Sequence, residues 1–210
     1  MVEDIFKKRR QIRYFSDKVP SEELVNELLY KTYELVPSKQ NLMPYKIHVI
    51  GPDQKKVKEK LYYLSTKSGS NTTTNYQVNA PYNLVFTMRL AFPNEQVIRS
   101  MKKETGTYNK CDPNRYDRPS RRPGVALEVG MFATILGGLC LDNDLDIAYM
   151  RCFGTWGKPP EPNPWEILPF IDEYVLLIMN IGYRDPDRLK PPANTRRETK
   201  PEFDEIVFYK

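Results

Sequence analysis

Residues 9–15 read Arg9-Arg10-Gln11-Ile12-Arg13-Tyr14-Phe15. Three guanidinium groups and one carboxamide fall within five residues of each other. The apolar set Val2, Ile5 and Phe6 just before them predicts a short first helix that delivers the stretch. If the chain then extends, Arg9, Gln11 and Arg13 project to one side, because side chains alternate along extended backbone. Arginine forks match planar and tetrahedral oxyanions bidentately. The stretch therefore suits a phosphate at one fork and a ring carbonyl or amide edge at another. Taken alone, it reads first as a solvated basic turn, the ordinary fate of a basic run.

Working outward, Ser21 is placed to cap a second helix, with Glu22 and Glu23 complementing its positive end. Leu24, Val25, Leu28, Leu29, Leu35 and Val36 keep a helical period, and Pro37 stops it. The chain continues Pro37-Ser38-Lys39-Gln40-Asn41 and then Met43-Pro44-Tyr45. A hydroxyl, an ammonium and two amides on a proline-stiffened turn suit a planar heterocycle. An alternating strand, Tyr45 to Ile50, follows.

In this order the two stretches resemble the nitroreductase family of FMN-dependent flavoproteins, whose usual pattern is RRSxR, a helix, then PSxxNxQPW. Gln11 stands where the family has serine, and Met43-Pro44-Tyr45 stands for its Gln-Pro-Trp. The likeness follows most of the chain and is sharp at residues 9–15 and 37–45. It implies an α+β, nitroreductase-like fold: a central, mostly antiparallel sheet flanked by helices, in an intertwined homodimer that exchanges C-terminal strands.

Length and charge set the frame. The 210 residues fit a single domain, 1–210, with a substantial core. A net charge of +5 favours small anionic ligands; with 27 acids interspersed it does not call for nucleic acid. A mean hydropathy of −0.61 is lean for a monomer and predicts burial between subunits. Cys111, Cys140 and Cys152 are odd in number and widely spaced, which predicts a reducing, cytoplasmic setting without disulfides. The apolar run Val125 to Leu141 carries Glu128 and three glycines and is short for a membrane span, so a helix buried on all sides is expected. Gly130, Gly137 and Gly138 then predict close approach by another helix, and Asn143 a left-handed stop.

The remaining elements are read from pattern. Asp53 to Leu64 is a surface helix, Leu84 to Met88 an apolar strand and 94–104 a charged helix. Residues 105–124 form either a lid carrying Tyr108, Arg115 and Tyr116 or a solvated excursion. Asp146 to Met150, Tyr174 to Gly182 and Ile206 to Tyr209 read as strands, and His48, the single histidine, as a packing residue inside its strand. No metal cluster, P-loop, nucleophile–base pair or GxGxxG is present in the sequence.

The resemblance then implies a cofactor and a chemistry. FMN would be held by Arg9, Arg10, Gln11, Arg13, Pro37, Ser38, Lys39 and Asn41, with Asn75 lending an amide or serving as an ordinary loop residue. A backbone N–H near Phe153 or Gly154 would reach flavin N5, and Arg196, Arg197 or Lys200 the phosphate; spacing does not choose among these. The implied activity is ping-pong hydride transfer from NAD(P)H to a flat acceptor, a nitroaromatic or a quinone. Alternatives are reductive dehalogenation or another specialised flavin reaction, or a non-catalytic protein that binds FMN or another anion.

Overall fold

A four-stranded antiparallel sheet, ordered β1-β2-β4-β3, organises the chain. The computed structural model describes residues 2–66, 75–89, 91, 95–105, 122–151, 175–188 and 201–208. The strands are β1 (Tyr45–Ile50), β2 (Tyr82–Met88), β3 (Asp146–Met150) and β4 (Val175–Gly182). The helices are α1 (Val2–Lys8), α2 (Glu22–Leu35), α3 (Lys55–Thr66), α4 (Glu95–Thr105), α5 (Arg122–Asp142) and α6 (Phe203–Ile206). The central strands β2 and β4 are the near-continuous apolar runs, as strands covered on both faces must be.

Alternation along the strands divides the core in two. Leu84, Phe86, Ile147, Met179 and Ile181 face α2 and α5, where they pack on Val25, Leu28, Phe132 and Leu136. Val85, Met150 and Ile178 face the other way, onto Leu61 of α3 and Val78. That second face also carries buried amides. The Asn83 Nδ2 group donates to the Val78 carbonyl at 3.0 Å and to Asn180 Oδ1 at 2.8 Å, and Asn180 Nδ2 donates to the Ala148 carbonyl at 3.2 Å. Lys58 is buried there too, donating to the Ala80 and Pro81 carbonyls at 2.9 and 2.6 Å. Burial pulls its pKa down to about 8, with Asp53 opposing.

Most predicted boundaries hold within two residues, and Ser21 does cap α2, its Oγ accepting the Leu24 N–H at 3.2 Å. His48 is half-buried in β1, its Nε2 3.1 Å from Thr87 Oγ1. Four expectations are corrected. α5 is not buried on all sides: it is long and apolar enough to cross a membrane, yet only half of that stretch is buried. The sheet and α2 cover one side and leave Leu127, 67% exposed, Gly130 and Thr134 on the other. Gly137 admits side chains of β3 and not a second helix, whereas Gly138 admits the Phe6 ring of α1. A Cβ at Gly137 would meet Tyr149 Oη at 2.5 Å and Ile147 Cδ1 at 2.8 Å, and one at Gly138 would meet the Phe6 ring at 3.2 Å. Asp144, with φ 56°, takes the left-handed position expected of Asn143, whose side-chain amide instead donates back to the Leu139 carbonyl at 2.9 Å.

The fourth correction lies in the tail. Ile206 closes the helix Phe203–Ile206 where a strand is expected. A capping box between Glu202 and Glu205 satisfies the helix N-terminus and outweighs the strand preference of Ile206; Val207 then leaves extended at φ −114°, ψ 115°.

These glycines make a stability prediction. Gly137→Leu is expected to destabilise the chain by about 1–3 kcal/mol through overpacking. Gly130→Ala, with nothing within 4 Å of the new methyl, is expected to stabilise it by about 0.5–1 kcal/mol. Urea unfolding of both variants checks this; equal midpoints would show that Tyr149 and Ile147 yield freely.

Candidate functional site

The basic stretch is stitched onto the exposed edge of β3. The Gln11 amide donates from Nε2 to the Tyr149 carbonyl at 2.8 Å and accepts the Tyr149 N–H on Oε1 at 3.3 Å. A side chain thus makes both bonds that a paired peptide would make. The Ile12 N–H reaches the Ile147 carbonyl at 3.5 Å, and Ile12 itself is buried. Farther along, Phe15 bridges to Arg184, the Ser16 N–H reaches the Tyr183 carbonyl at 2.8 Å and the Asp185 N–H reaches the Tyr14 carbonyl at 3.0 Å. Gly182 is required here: a Cβ would lie 2.6 Å from Pro81 Cδ and 3.0 Å from Phe15 Cδ1. Arg184 anchors the crossing, its guanidinium forked on the buried Asp146 carboxylate, which pushes the Arg184 pKa up.

The result is a fixed display of cations. Arg9 and Arg10 are exposed and Arg13 is half-buried. Burial and then Cys140 push the Tyr149 hydroxyl up to about 12, while Arg9 pulls it down. That hydroxyl donates to the Ala133 carbonyl at 2.9 Å, so it is a structural group. Tyr14 stacks on Tyr76 with centroids 5.0 Å apart, and Arg188 sits 5.5 Å over the Tyr14 ring. Arg13 precedes the first ring of this stack and Asn75 the second, so the stack draws two candidate segments together. Asn75 is half-buried, and its Oδ1 accepts from Gln77 Nε2 at 3.1 Å.

The second stretch forms a tight turn between α2 and β1. Lys39–Asn41 is one turn of 3₁₀ helix, with Pro37, Lys39 and Asn41 exposed and Ser38 half-buried. Asn41 and Met43 have φ of 53° and 43°, left-handed values that cost a non-glycine residue about 1 kcal/mol or more each. The Ser38 hydroxyl donates to Glu128 Oε2 at 2.6 Å and accepts the Met43 N–H at 2.8 Å. Arg89 donates to the Met43 carbonyl from Nε at 2.8 Å and to the Leu42 carbonyl from Nη2 at 2.9 Å. Beneath the turn, Tyr45 is buried, and burial, then Glu128, push its hydroxyl up to about 12 against the pull of Arg89.

The two stretches are held at points set apart along α5. The turn is fastened to α5 at Glu128, whereas the basic stretch is fastened to Tyr149, which packs on Gly137. Nine residues of α5 separate these points, about 14 Å at ~1.5 Å per residue. Phe153, Gly154, Arg196, Arg197 and Lys200, as well as the 106–121 segment, lie outside the described residues. Among the described residues no cluster of acids, cysteines or histidines suits a metal.

Sequence reasoning missed Arg89 and Glu128. Each carries a signal in hindsight: Glu128 is the one acid in the run Val125 to Leu141, and Arg89 is the charge that ends the apolar run of β2. A charge placed among apolar residues needs a partner.

No protein-family model and no curated protein matches the chain. Solved structures do match, over its whole length. A nitroreductase family protein from Streptococcus pneumoniae superposes with a TM-score of 0.65 at 20% identity, all of both chains being covered. A protein classed as a nitroreductase, in complex with FMN, from Exiguobacterium sibiricum gives 0.69 at 16% identity, over 100% of this chain and 97% of that one. One classed as an NAD(P)H:FMN oxidoreductase from Staphylococcus epidermidis gives 0.67 at 18%, over 100% and 95%. The chain has the nitroreductase fold. At these identities the likeness is one of fold, and it agrees with the α+β architecture read from the sequence.

Within the nitroreductase fold, Gln11 is here a docking residue as well as a member of the basic stretch. Gln11→Ala is expected to cost about 0.5–1.5 kcal/mol, the worth of ordinary hydrogen bonds at an exposed site. It should also speed hydrogen exchange at the Ile12 amide. Unchanged exchange at Ile12 would show that the segment is held without the Gln11 amide.

Proposed function

We propose that this chain is a cytoplasmic, FMN-dependent NAD(P)H oxidoreductase of the nitroreductase type that reduces flat acceptors such as nitroaromatics or quinones. The observation that carries the reading is the docked basic stretch, which holds Arg9, Arg10 and Arg13 at one sheet edge through Gln11 and Ile12. The donor set fits a phosphorylated planar cofactor. Exposed Arg9 and Arg10 suit a phosphate, with Arg196, Arg197 or Lys200 as further candidates. Half-buried Arg13 suits the pyrimidine edge of a flavin, where a cation favours the negative charge that accumulates on reduction. Lys39 and Asn41 add an ammonium and an amide, and Asn75 is drawn toward Arg13 by the tyrosine stack. FMN when bound supplies the hydride chemistry at N5, with Phe153 or Gly154 the candidate backbone donors to that atom. Water suffices as the proton source, so no side-chain acid is required. The Staphylococcus epidermidis and Exiguobacterium sibiricum structures support the nicotinamide and the flavin respectively.

A homodimer belongs to the same proposal. The basic stretch and the turn lie apart on α5, and the helix face between them exposes Leu127. A second copy across that face would bring the turn of one chain toward the basic stretch of the other. Phe203, Ile206 and Phe208 are 65–74% exposed, an apolar tail suited to wrapping a partner subunit and adding a strand beyond Val207.

Three experiments test these readings. The purified protein is expected to show flavin absorbance bands and to oxidise NAD(P)H when nitroaromatic or quinone acceptors are added. Arg13→Ala should lose flavin and lower the reduction potential of what remains. A colourless protein that takes up no added FMN would overturn the assignment. Deleting residues 195–210 should cost flavin and dimer together in sedimentation; a truncated chain that remains a flavin-bearing dimer would remove the tail from the site.

A further inference from the structure

Every main-chain N–H of the turn from Asn41 to Met43 is committed within the turn. Asn41 donates to the Ser38 carbonyl at 3.0 Å, Leu42 to the Lys39 carbonyl at 3.2 Å and Met43 to Ser38 Oγ at 2.8 Å. The Ser38 hydroxyl has a single proton, and Glu128 takes it. Two successive carbonyls, Leu42 and Met43, end on the Arg89 fork, and the Arg89 N–H returns to the Pro44 carbonyl at 3.1 Å. Among the described polar side chains of the turn, Lys39 and Asn41 are exposed and available to a ligand.

We propose that Arg89 and Glu128 are positioning residues for the cofactor-binding turn, and that Ser38 is their link to it and not a ligand contact. This inference rests on the flavin reading above. The left-handed backbone at Asn41 and Met43 directs where the Asn41 amide and the Lys39 ammonium stand. Such backbone persists only when its surroundings over-determine it. Arg89 fixes the peptide planes on both sides of Met43 with one rigid fork, a task that the single-point charge of lysine cannot perform. Glu128 fixes the Ser38 rotamer, which in turn holds the Met43 N–H. Arg89 enters from the end of β2 and Glu128 from α5, so the turn is gripped from the sheet and from the helix layer at once.

The test is a binding cycle on the full chain with FMN as the probe, read by quenching of FMN fluorescence and by the visible circular dichroism of the bound flavin. Arg89→Met is expected to weaken binding about tenfold, the worth of a lost charged hydrogen-bond pair, and to alter the dichroism. Arg89→Lys should not restore it. Ser38→Ala and Glu128→Ala should each weaken binding, and the double variant should bind no worse than the weaker single one, because both break the same link. Glu128→Gln keeps an acceptor for the Ser38 hydroxyl and should bind better than Glu128→Ala. It also serves as the mild variant if the alanine changes unfold the chain. Additive losses at Ser38 and Glu128 would make Ser38 a direct ligand contact and overturn the proposal. So would wild-type affinity and dichroism in Arg89→Met, and in that case the flavin reading stands. A wild-type chain that binds no FMN overturns both.

Discussion

An edge strand with unsatisfied peptide groups is the constraint on which the candidate site depends. β3 presents one row of N–H and C=O groups to the outside of the sheet, and such a row must be paired, covered or otherwise protected. Here the chain covers it with its own N-terminal segment, and at Tyr149 it does so with a carboxamide side chain. The choice has a chemical consequence. A backbone strand in full register would turn successive side chains alternately toward the two faces of the sheet. Pairing by a side chain at Gln11 spares the local backbone from that register and leaves Arg9 and Arg10 exposed beside it. The display of cations is therefore a by-product of how the edge is closed, and the backbone that carries them is held to β3 through Gln11 and Ile12.

The same segment crosses the C-terminal end of β4, and the crossing explains several residues at once. Gly182 is small because Phe15 and Pro81 occupy its Cβ position. Asp146 is buried because Arg184 and its own N–H reach it, the N–H at 2.9 Å. A buried carboxylate without such partners would be costly. The two faces of the sheet differ in kind. The α5 face is apolar and adaptable, while the α3 face carries the Asn83–Asn180 amide chain. A slip of one residue in the β2–β4 register would turn one of the two strands over and carry its amide into the apolar α5 core, away from its partner, so the pair fixes the register that aligns the ends of β2 and β4.

Much of this was legible in the sequence. Strands appear there as apolar runs, α2 as a capped period between Ser21 and Pro37, and the two candidate stretches as polar groups on stiff backbone. What was not legible is how polar groups are spent. Ser38 and Gln11 look like ligand contacts because a hydroxyl or an amide beside arginine and proline has no visible partner in the linear chain. Their partners, Glu128 and Tyr149, are 90 and 138 residues away. The glycines of α5 misled for a related reason. A small residue signals close approach but not by what, and the neighbours are Tyr149 and Phe6 of the same chain. In the tail, Ile206-Val207-Phe208 carries strand propensity, yet the Glu202–Glu205 capping box acts at shorter range and decides Ile206.

α5 then acts as a ruler for the whole arrangement. It meets the turn directly, through Glu128 near one end, and the basic stretch through intermediaries, Tyr149 of β3 at Gly137 and Phe6 of α1 at Gly138 near the other. Its sheet-facing side is fixed by Leu136, Phe132 and Val129, all nearly inaccessible. Neither stretch can slide along it without breaking that packing. A ligand gripped by Arg13 and by Asn41 of the same chain would have to span the ruler. A ligand gripped by Arg13 of one chain and Asn41 of another needs only that two rulers cross. The exposed side of α5, with Leu127, Gly130 and Thr134, offers an apolar and slender surface for such a crossing. Gly130 leaves open space above its backbone, where the Thr134 hydroxyl is turned inward onto the Gly130 carbonyl at 2.8 Å. In the homodimer proposed above, this slender side of α5 is where two copies of the helix would cross.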